Sequence, residues 1–181
     1  MDKPVLILTG EIGSGKTTAC RKAAKNAAEK GLKAGGILTP PIYADEKKSG
    51  FSAEDLSTGE RWPLGSKDTG PGLKGPVFGL YRFSIGGFAR AFGVLKTAMA
   101  DQCDLIVLDE IGPLEVVHKK GFWRILETLF DQKDAYLLLV VRPSLIEDVK
   151  GMLGDRRTVV FALDQENRDT LPDKIAAALE A

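Results

Sequence analysis

Cysteine is nearly absent from the chain: Cys20 and Cys103 are the only two among 181 residues. Two thiols are too few for a disulfide framework, and their separation is not that of a CxxC metal pair, so a reducing cytosol is expected. Histidine occurs once, at position 118, in a polar stretch with no partner at metal-ligand spacing, which favours a surface position. Net charge is also lacking, since 25 Lys plus Arg meet 25 Asp plus Glu. No overall field draws the chain to nucleic acid or anionic lipid, and no clear nucleic-acid site is expected. No apolar run approaches the ~20 residues that cross a bilayer, and the first residues carry no apolar signal segment with a cleavage site. The expectation is an unexported, cytoplasmic protein without a membrane segment, and no protein partner is legible.

What is present is apolar content of 44% over a length that suits one domain, residues 1–181, with a buried core. Val5 to Leu8 is a continuous apolar run followed by a glycine-rich turn, and Lys16 to Lys30 is rich in Ala and Lys, with Glu29, until Gly31. That reads as buried strand, loop and helix, with the glycine as stop. Three more apolar runs, at 105–108, 135–141 and 158–163, repeat the pattern with helical stretches between and after them, and Gly36 to Leu38 adds a short strand. Such alternation predicts an α/β fold, a mostly parallel sheet between two helical layers. The tail from Leu171 reads as a helix capped by Thr170, with Pro172 and Asp173 in its first turn.

Residues 40–83 break this rhythm. In "SGFSAEDLSTGERWPL" a Thr58-Gly59 turn separates two strand-like pieces, and "VFGLYRF" (77–83) reads as another strand. An antiparallel β insertion is expected. Within it, "GSKDTGPGLKGP" (65–76) has four glycines and two prolines, a composition expected to give a mobile loop.

The chemistry starts at Gly10-Glu11-Ile12-Gly13-Ser14-Gly15-Lys16-Thr17 and continues into Thr18. This is G-x-x-x-x-G-K-[ST] in the strand-to-helix context the phosphate-binding P-loop requires. Glycines let backbone N–H groups turn inward around phosphates, and the helix N-terminus adds partial positive charge. Lys16 is expected at the β- and γ-phosphates and Thr17 on Mg²⁺. No task is evident for Glu11 beyond its place in the loop. A second motif, Leu105-Ile106-Val107-Leu108-Asp109-Glu110, is a buried strand ending in two carboxylates. Asp109 suits the metal, directly or through water. Glu110 suits a general base that orients and deprotonates an attacking water.

Together "TGEIGSGKTT", "GGILTPPIY", "SGFSAEDLSTGE", "LIVLDEIGPLE" and "ENRDTLPDKI" occur in order from residue 5 to about 175. In this the chain resembles the nucleoside-triphosphatase family first described from thermophiles, also called cancer-related nucleoside-triphosphatase. The P-loop alone is shared with many families; "DEIGPLE" joined to "GGILTP" and "NRDTLP" is much more particular. The resemblance implies a RecA-like sheet and Mg²⁺-dependent hydrolysis of nucleoside triphosphates to diphosphate and phosphate with broad base tolerance. By position it makes Lys16 and Thr17 phosphate and magnesium ligands, Asp109 the metal acid and Glu110 the catalytic glutamate. Glu115 of the same motif is a supporting acid or an exposed residue, the latter being favoured.

Arginine commonly meets the charge on a transferring phosphoryl group. Arg142 follows the 135–141 strand, at the sheet edge where ligands bind in open α/β folds, and is the first candidate for a γ-phosphate sensor. Arg168, beside Asn167, lies either against the base or ribose or in a capping loop. Arg82 and Arg90 are weaker candidates. Trp123, Phe122, Ile125, Leu126, Leu129 and Phe130 recur at helical spacing and belong in a core. Cys20 is expected to be an inert buried thiol. The insertion's Phe51, Trp62, Phe78, Tyr81 and Phe83 stack a base or cover a small core, the core being favoured. Three functions stay open at this point: a hydrolase, a small-molecule or nucleotide kinase, and a nucleotide-switched binding module. For a kinase the late stretch "PSLIEDVKGMLGDRRT" offers only Arg156 and Arg157 as an arginine-bearing lid.

Overall fold

The computed structural model describes residues 2–67 and 73–179. Strand β1 (Val5–Gly10) leads through the P-loop into helix α1 (Lys16–Glu29), and β2 (Ala34–Leu38) follows. The insertion comprises β3 (Pro41–Ala44), β4 (Lys47–Asp55), β5 (Arg61–Lys67), β6 (Val77–Phe78) and β7 (Tyr81–Phe83). Helix α2 (Ile85–Ala100) returns the chain to β8 (Leu105–Ile111), then to the short α3 (Pro113–Val116) and to α4 (Trp123–Phe130). Strand β9 (Tyr136–Val141), a 3₁₀ turn (Pro143–Leu145), α5 (Ile146–Leu153), β10 (Thr158–Leu163) and α6 (Leu171–Ala177) complete the chain.

One ten-stranded sheet carries everything, in the order β10-β1-β9-β8-β2-β4-β5-β7-β6, with β3 pairing β4 off this path. The first five strands are parallel, and one strand, β9, stands between the P-loop strand β1 and the acid strand β8. From β4 onward pairing is antiparallel. The insertion thus extends the parallel core edge to edge at β2.

Both faces of β1, β8 and β9 are covered, which is why their sequences are unbroken apolar runs, whereas the edge strand β10 is partly exposed. On β1, Leu6 and Leu8 join α1 and α6 through Ala19, Cys20, Ala23, Leu171 and Ile175. Val5 and Ile7 join the opposite layer, built on Phe88, Leu95, Ile125, Leu129 and Val149 of α2, α4 and α5. The same alternation sends Leu105 and Val107 to the α1 face and Ile106 and Leu108 to the other.

Two expectations need correction, and a third holds in position though not in its bond. "VFGLYRF" is a hairpin, β6 and β7, turned at Gly79 and Leu80. Of the glycine-rich stretch 65–76, residues 65–67 belong to β5 and pair with β7, while 68–72 lie outside the described residues. Thr170 does occupy the N-cap of α6, but its side chain makes no capping bond and its hydroxyl instead donates to the Asn167 carbonyl at 3.3 Å. Asp173 takes over the acidic first-turn position that complements the helix dipole.

Candidate nucleotide and phosphoryl site

The carboxyl ends of β1, β2, β8, β9 and β10 gather on one edge, and the P-loop, Asp109, Glu110, Arg142 and the loop of Arg168 lie along it. The P-loop turn needs three glycines for backbone reasons, and Gly13 is one of them at φ 80°. Gly15 caps α1 with φ 98°, and Gly10 has φ 150° with no room for a Cβ, which would stand 2.5 Å from the Leu163 carbonyl oxygen. Lys16 is buried and its Nζ donates to the carbonyls of Gly10 at 2.9 Å and Glu11 at 2.6 Å, so the ammonium sits inside the loop it serves. Ser14 Oγ is buried and, among the described residues, has no hydrogen-bond partner. Glu11, Ile12, Gly13, Gly15 and Thr18 are exposed around the loop.

Alternation along β8 separates its two carboxylates. Asp109 points to the α1 face, 2% exposed, and accepts from Thr17 Oγ1 at 2.6 Å and from the Thr39 amide at 3.2 Å. Burial pushes its carboxyl up to about 6, with the hydrogen bonds from Thr17 and Thr39 opposing. Two hard oxygens from α1 and β8 therefore meet at one point, the donor type that a magnesium ion takes from a protein when phosphates and water supply the rest. Among the described residues no cluster of three or more His, Cys, Asp or Glu could hold a metal by itself.

Glu110 faces the other way. The β8–β9 ladder pairs Leu108 with Leu139 and Ile111 with Val141, three steps against two, so a bulge falls at the carboxylates. Its Oε1 accepts from Arg142 Nε at 2.8 Å, which places the sensor candidate directly on the base candidate. Arg142 is held there by the start of the 3₁₀ turn that Pro143 opens after β9.

The remaining residues divide into frame and rim. Glu115 is buried, contrary to the exposed position expected: its Oε2 accepts from the Gly112 amide at 3.0 Å and its Oε1 from the Phe122 amide at 3.2 Å. Burial is the main cause that lifts its carboxyl to about 7. The carboxylate ties the turn after β8 to the start of α4, a role that spacing did not reveal. Asn167 is spent on its own loop, donating to the Ala162 carbonyl at 2.8 Å and accepting from the Asp164 amide at 3.0 Å. Arg168 is exposed beside it. This loop follows β10 and so rims the P-loop on the side away from Glu110. Arg90 pairs with Glu60 and stacks on Trp62, 4.3 Å from the ring centroid, and Arg82 donates to the Gly75 carbonyl at 3.0 Å; both brace the insertion. Arg156 is no lid. Its guanidinium is buried and bonds the carbonyls of Lys3, Phe130 and Ala135 at the opposite sheet edge. His118 is exposed with its ring against Phe78, and burial holds the Cys20 thiol well above its ordinary pKa, as an inert core cysteine requires.

This geometry coincides with the family match, for the NTPase family covers residues 5–176. The chain belongs to that nucleoside-triphosphatase family. The nucleoside-triphosphatase THEP1 of Methanosarcina barkeri is 34% identical over 174 residues, covering 94% of each chain. That of Methanosarcina acetivorans is 35% identical over 173 residues, 94% of this chain and 93% of its own. The crystal structure of THEP1 from Aquifex aeolicus superposes with a TM-score of 0.76 at 23% identity, covering 98% of this chain and 99% of its own, which shows the shared fold. The solution structure of a human cancer-related nucleoside triphosphatase gives 0.75 at 25% identity, covering 98% and 97%. The fold is that of a P-loop NTPase, and the chain is a nucleoside-triphosphatase, a hydrolase of the phosphoric anhydride. No described helix is long and apolar enough to cross a membrane.

Proposed function

We propose that this chain hydrolyses nucleoside triphosphates to diphosphate and phosphate in a Mg²⁺-dependent way with little discrimination among bases. The observation that carries the reading is the divergence of the two β8 carboxylates, one toward Thr17 and the P-loop, the other toward Arg142. Thr17 and Asp109 would hold the magnesium, which when bound neutralises charge on the β- and γ-phosphates. Lys16 exchanges its two loop carbonyls for phosphate oxygens, and the Ser14 hydroxyl, buried and without a partner among the described residues, has a donor to offer there. Glu110 orients water and takes its proton, with Arg142 holding the carboxylate and facing the phosphoryl oxygens.

Broad base tolerance is supported by the rim beyond β10. Asn167 has already committed both its amide oxygen and its nitrogen to the loop, and Arg168 is exposed, so no rigid donor–acceptor pattern awaits a base edge. Discrimination among bases needs buried polar groups left unpaired by the wrong one. A cytosolic setting is supported by two buried, unpaired thiols.

The test is phosphate release from Mg·ATP alone, in wild type, Glu110→Gln and Lys16→Ala. Glu110→Gln is expected to bind nucleotide normally and to lose roughly 10²-fold or more of the release rate, the usual share of a general base. Lys16→Ala is expected to weaken nucleotide binding itself. Wild-type release by Glu110→Gln removes Glu110 from the base role.

A further inference from the structure

A cavity of about 310 Å³ opens from the catalytic edge on the face of β8 away from the P-loop, with Thr39, Glu110 and Arg142 at its polar end. Its walls are aromatic: Phe51, Phe78, Tyr81, Phe83, Phe88 and Phe122 all line it. Hydrolysis calls for one water, which takes ~30 Å³ of liquid volume. This space is roughly ten times larger, and its lining is more apolar than polar. It falls at the lower end of small-molecule sites, which combine apolar walls with a few convergent polar groups.

We propose that the cavity is an acceptor site that binds a small, uncharged, ring-bearing alcohol, whose hydroxyl takes the γ-phosphoryl group in place of water. The proposal rests on the reading of the P-loop as the triphosphate site and Glu110 as the base. The rings of Phe51 and Tyr81 stand 5.3 Å apart and tilted, Phe51 and Phe83 5.6 Å, and Phe88 and Phe122 5.1 Å edge-on. Tilted walls of this kind match a flat ring by edge-to-face contact. Charge selects against an anion, because Glu110 and Glu115 both line the cavity and Glu115 has its two oxygens turned to backbone amides. The cations are Arg142, already paired to Glu110, and Lys48, exposed at the rim.

In the transfer the acceptor's hydroxyl oxygen bonds to the γ-phosphorus as the bond from that phosphorus to the β–γ bridging oxygen breaks. The hydroxyl proton passes to the Glu110 carboxylate and on to solvent. The products are a phosphate monoester and the nucleoside diphosphate, and hydrolysis is what the same site performs when water stands in the acceptor's place. The β insertion supplies four of the six aromatic walls, Phe51, Phe78, Tyr81 and Phe83, so no late arginine-bearing lid is required.

The full-length chain is incubated with Mg·ATP and, separately, benzyl alcohol, 2-phenylethanol and 3-pyridinemethanol, and ester and inorganic phosphate are resolved by ³¹P NMR. A monoester signal with at least one probe is expected. Phe78→Trp and Phe51→Trp, each checked for folding by circular dichroism, fill the cavity from half-buried positions and are expected to lower the ester-to-phosphate ratio roughly tenfold or more, as a pocket of altered volume discriminates. Inorganic phosphate alone with every probe overturns the acceptor site and leaves the hydrolase reading standing. Ester without phosphate release in probe-free reactions keeps the acceptor site and overturns hydrolysis. An ester-to-phosphate ratio unmoved by both folded variants places the acceptor elsewhere and sinks the proposal.

Discussion

Arg142 Nε donates to Glu110 Oε1 at 2.8 Å, joining the carboxyl ends of β9 and β8. Both side chains are partly exposed, 46% and 32%, so the pair is screened and easily exchanged. A guanidinium has five donors in a fixed fork, and using Nε on the carboxylate leaves both terminal nitrogens for a phosphoryl group. Arg142→Ala is expected to lower kcat by roughly 10²–10³-fold with little change in KM, because the interaction strengthens as charge develops. Arg142→Lys is expected to do almost as badly, since one ammonium cannot hold the carboxylate and face the phosphate together. Steady-state kinetics of the two variants decide this: substantial recovery by lysine would mean that charge alone matters.

Asp109 gives a pH dependence with a definite sign. Its carboxyl sits at about 6, raised mainly by burial, and a metal binds the ionised form. Protonation competes with magnesium below that value, so the Mg²⁺ concentration for half-maximal activity is expected to rise as pH falls below about 6, approaching tenfold per unit. Magnesium titrations of hydrolysis at pH 5 and 7.5, with Asp109→Asn alongside to separate protonation of the nucleotide, give the answer. A requirement that changes equally in wild type and Asp109→Asn would rule the carboxylate out.

The parallel core and the P-loop were legible because burial on both faces writes itself as unbroken apolar runs, and because Gly10 to Thr17 is a fixed spacing in a fixed context. Strand β3 was not legible: Pro41–Ala44 is exposed throughout and pairs only with β4, so no apolar period marks it. The 77–83 hairpin read as one strand because Gly79-Leu80 is a weak turn signal between aromatic residues, although Gly79 turns at φ 58°. Glu115 was misplaced because what satisfies it is backbone, the amides of Gly112 and Phe122, and with glycine at the N-cap there is no Ser or Thr to mark the start of α3 in the sequence. The aromatic cavity is assembled from residues between 51 and 122 that only the tertiary fold brings together.

Glu115 links stability to pH. Its folded carboxyl lies at about 7 against an ordinary 4.5, raised first by burial. Between those values the folded chain keeps a proton that the unfolded chain has released, so this group's contribution to stability declines as pH climbs through that window and levels off above it. Glu115→Gln removes the titration. Urea unfolding at pH 5 and pH 8 is therefore expected to show the stability gap between wild type and Glu115→Gln shrinking by about 1–3 kcal/mol at the higher pH. A gap of the same size at both values would show that the carboxyl does not titrate there.

Arg156 separates stability from catalysis. Nε donates to Lys3 at 2.9 Å, Nη1 to Phe130 at 3.0 Å and Nη2 to Ala135 at 2.7 Å, so one buried guanidinium closes the carbonyls that precede β1, end α4 and precede β9. Burial lowers its pKa, and no carboxylate hydrogen-bonds it among the described residues. Arg156→Met keeps most of the apolar stem and leaves three carbonyls without their donor, at an expected cost of about 3 kcal/mol. Arg156→Lys offers a single nitrogen to three divergent oxygens and is expected to recover only part of that. Because the cluster lies at the amino edge of the sheet, opposite Lys16 and Glu110, kcat and KM measured well below the melting temperature are expected to stay within about twofold of wild type, as distant sites act independently. Urea midpoints together with kinetics on the folded variants test both halves, and a fall in kcat without a fall in stability would reverse the assignment.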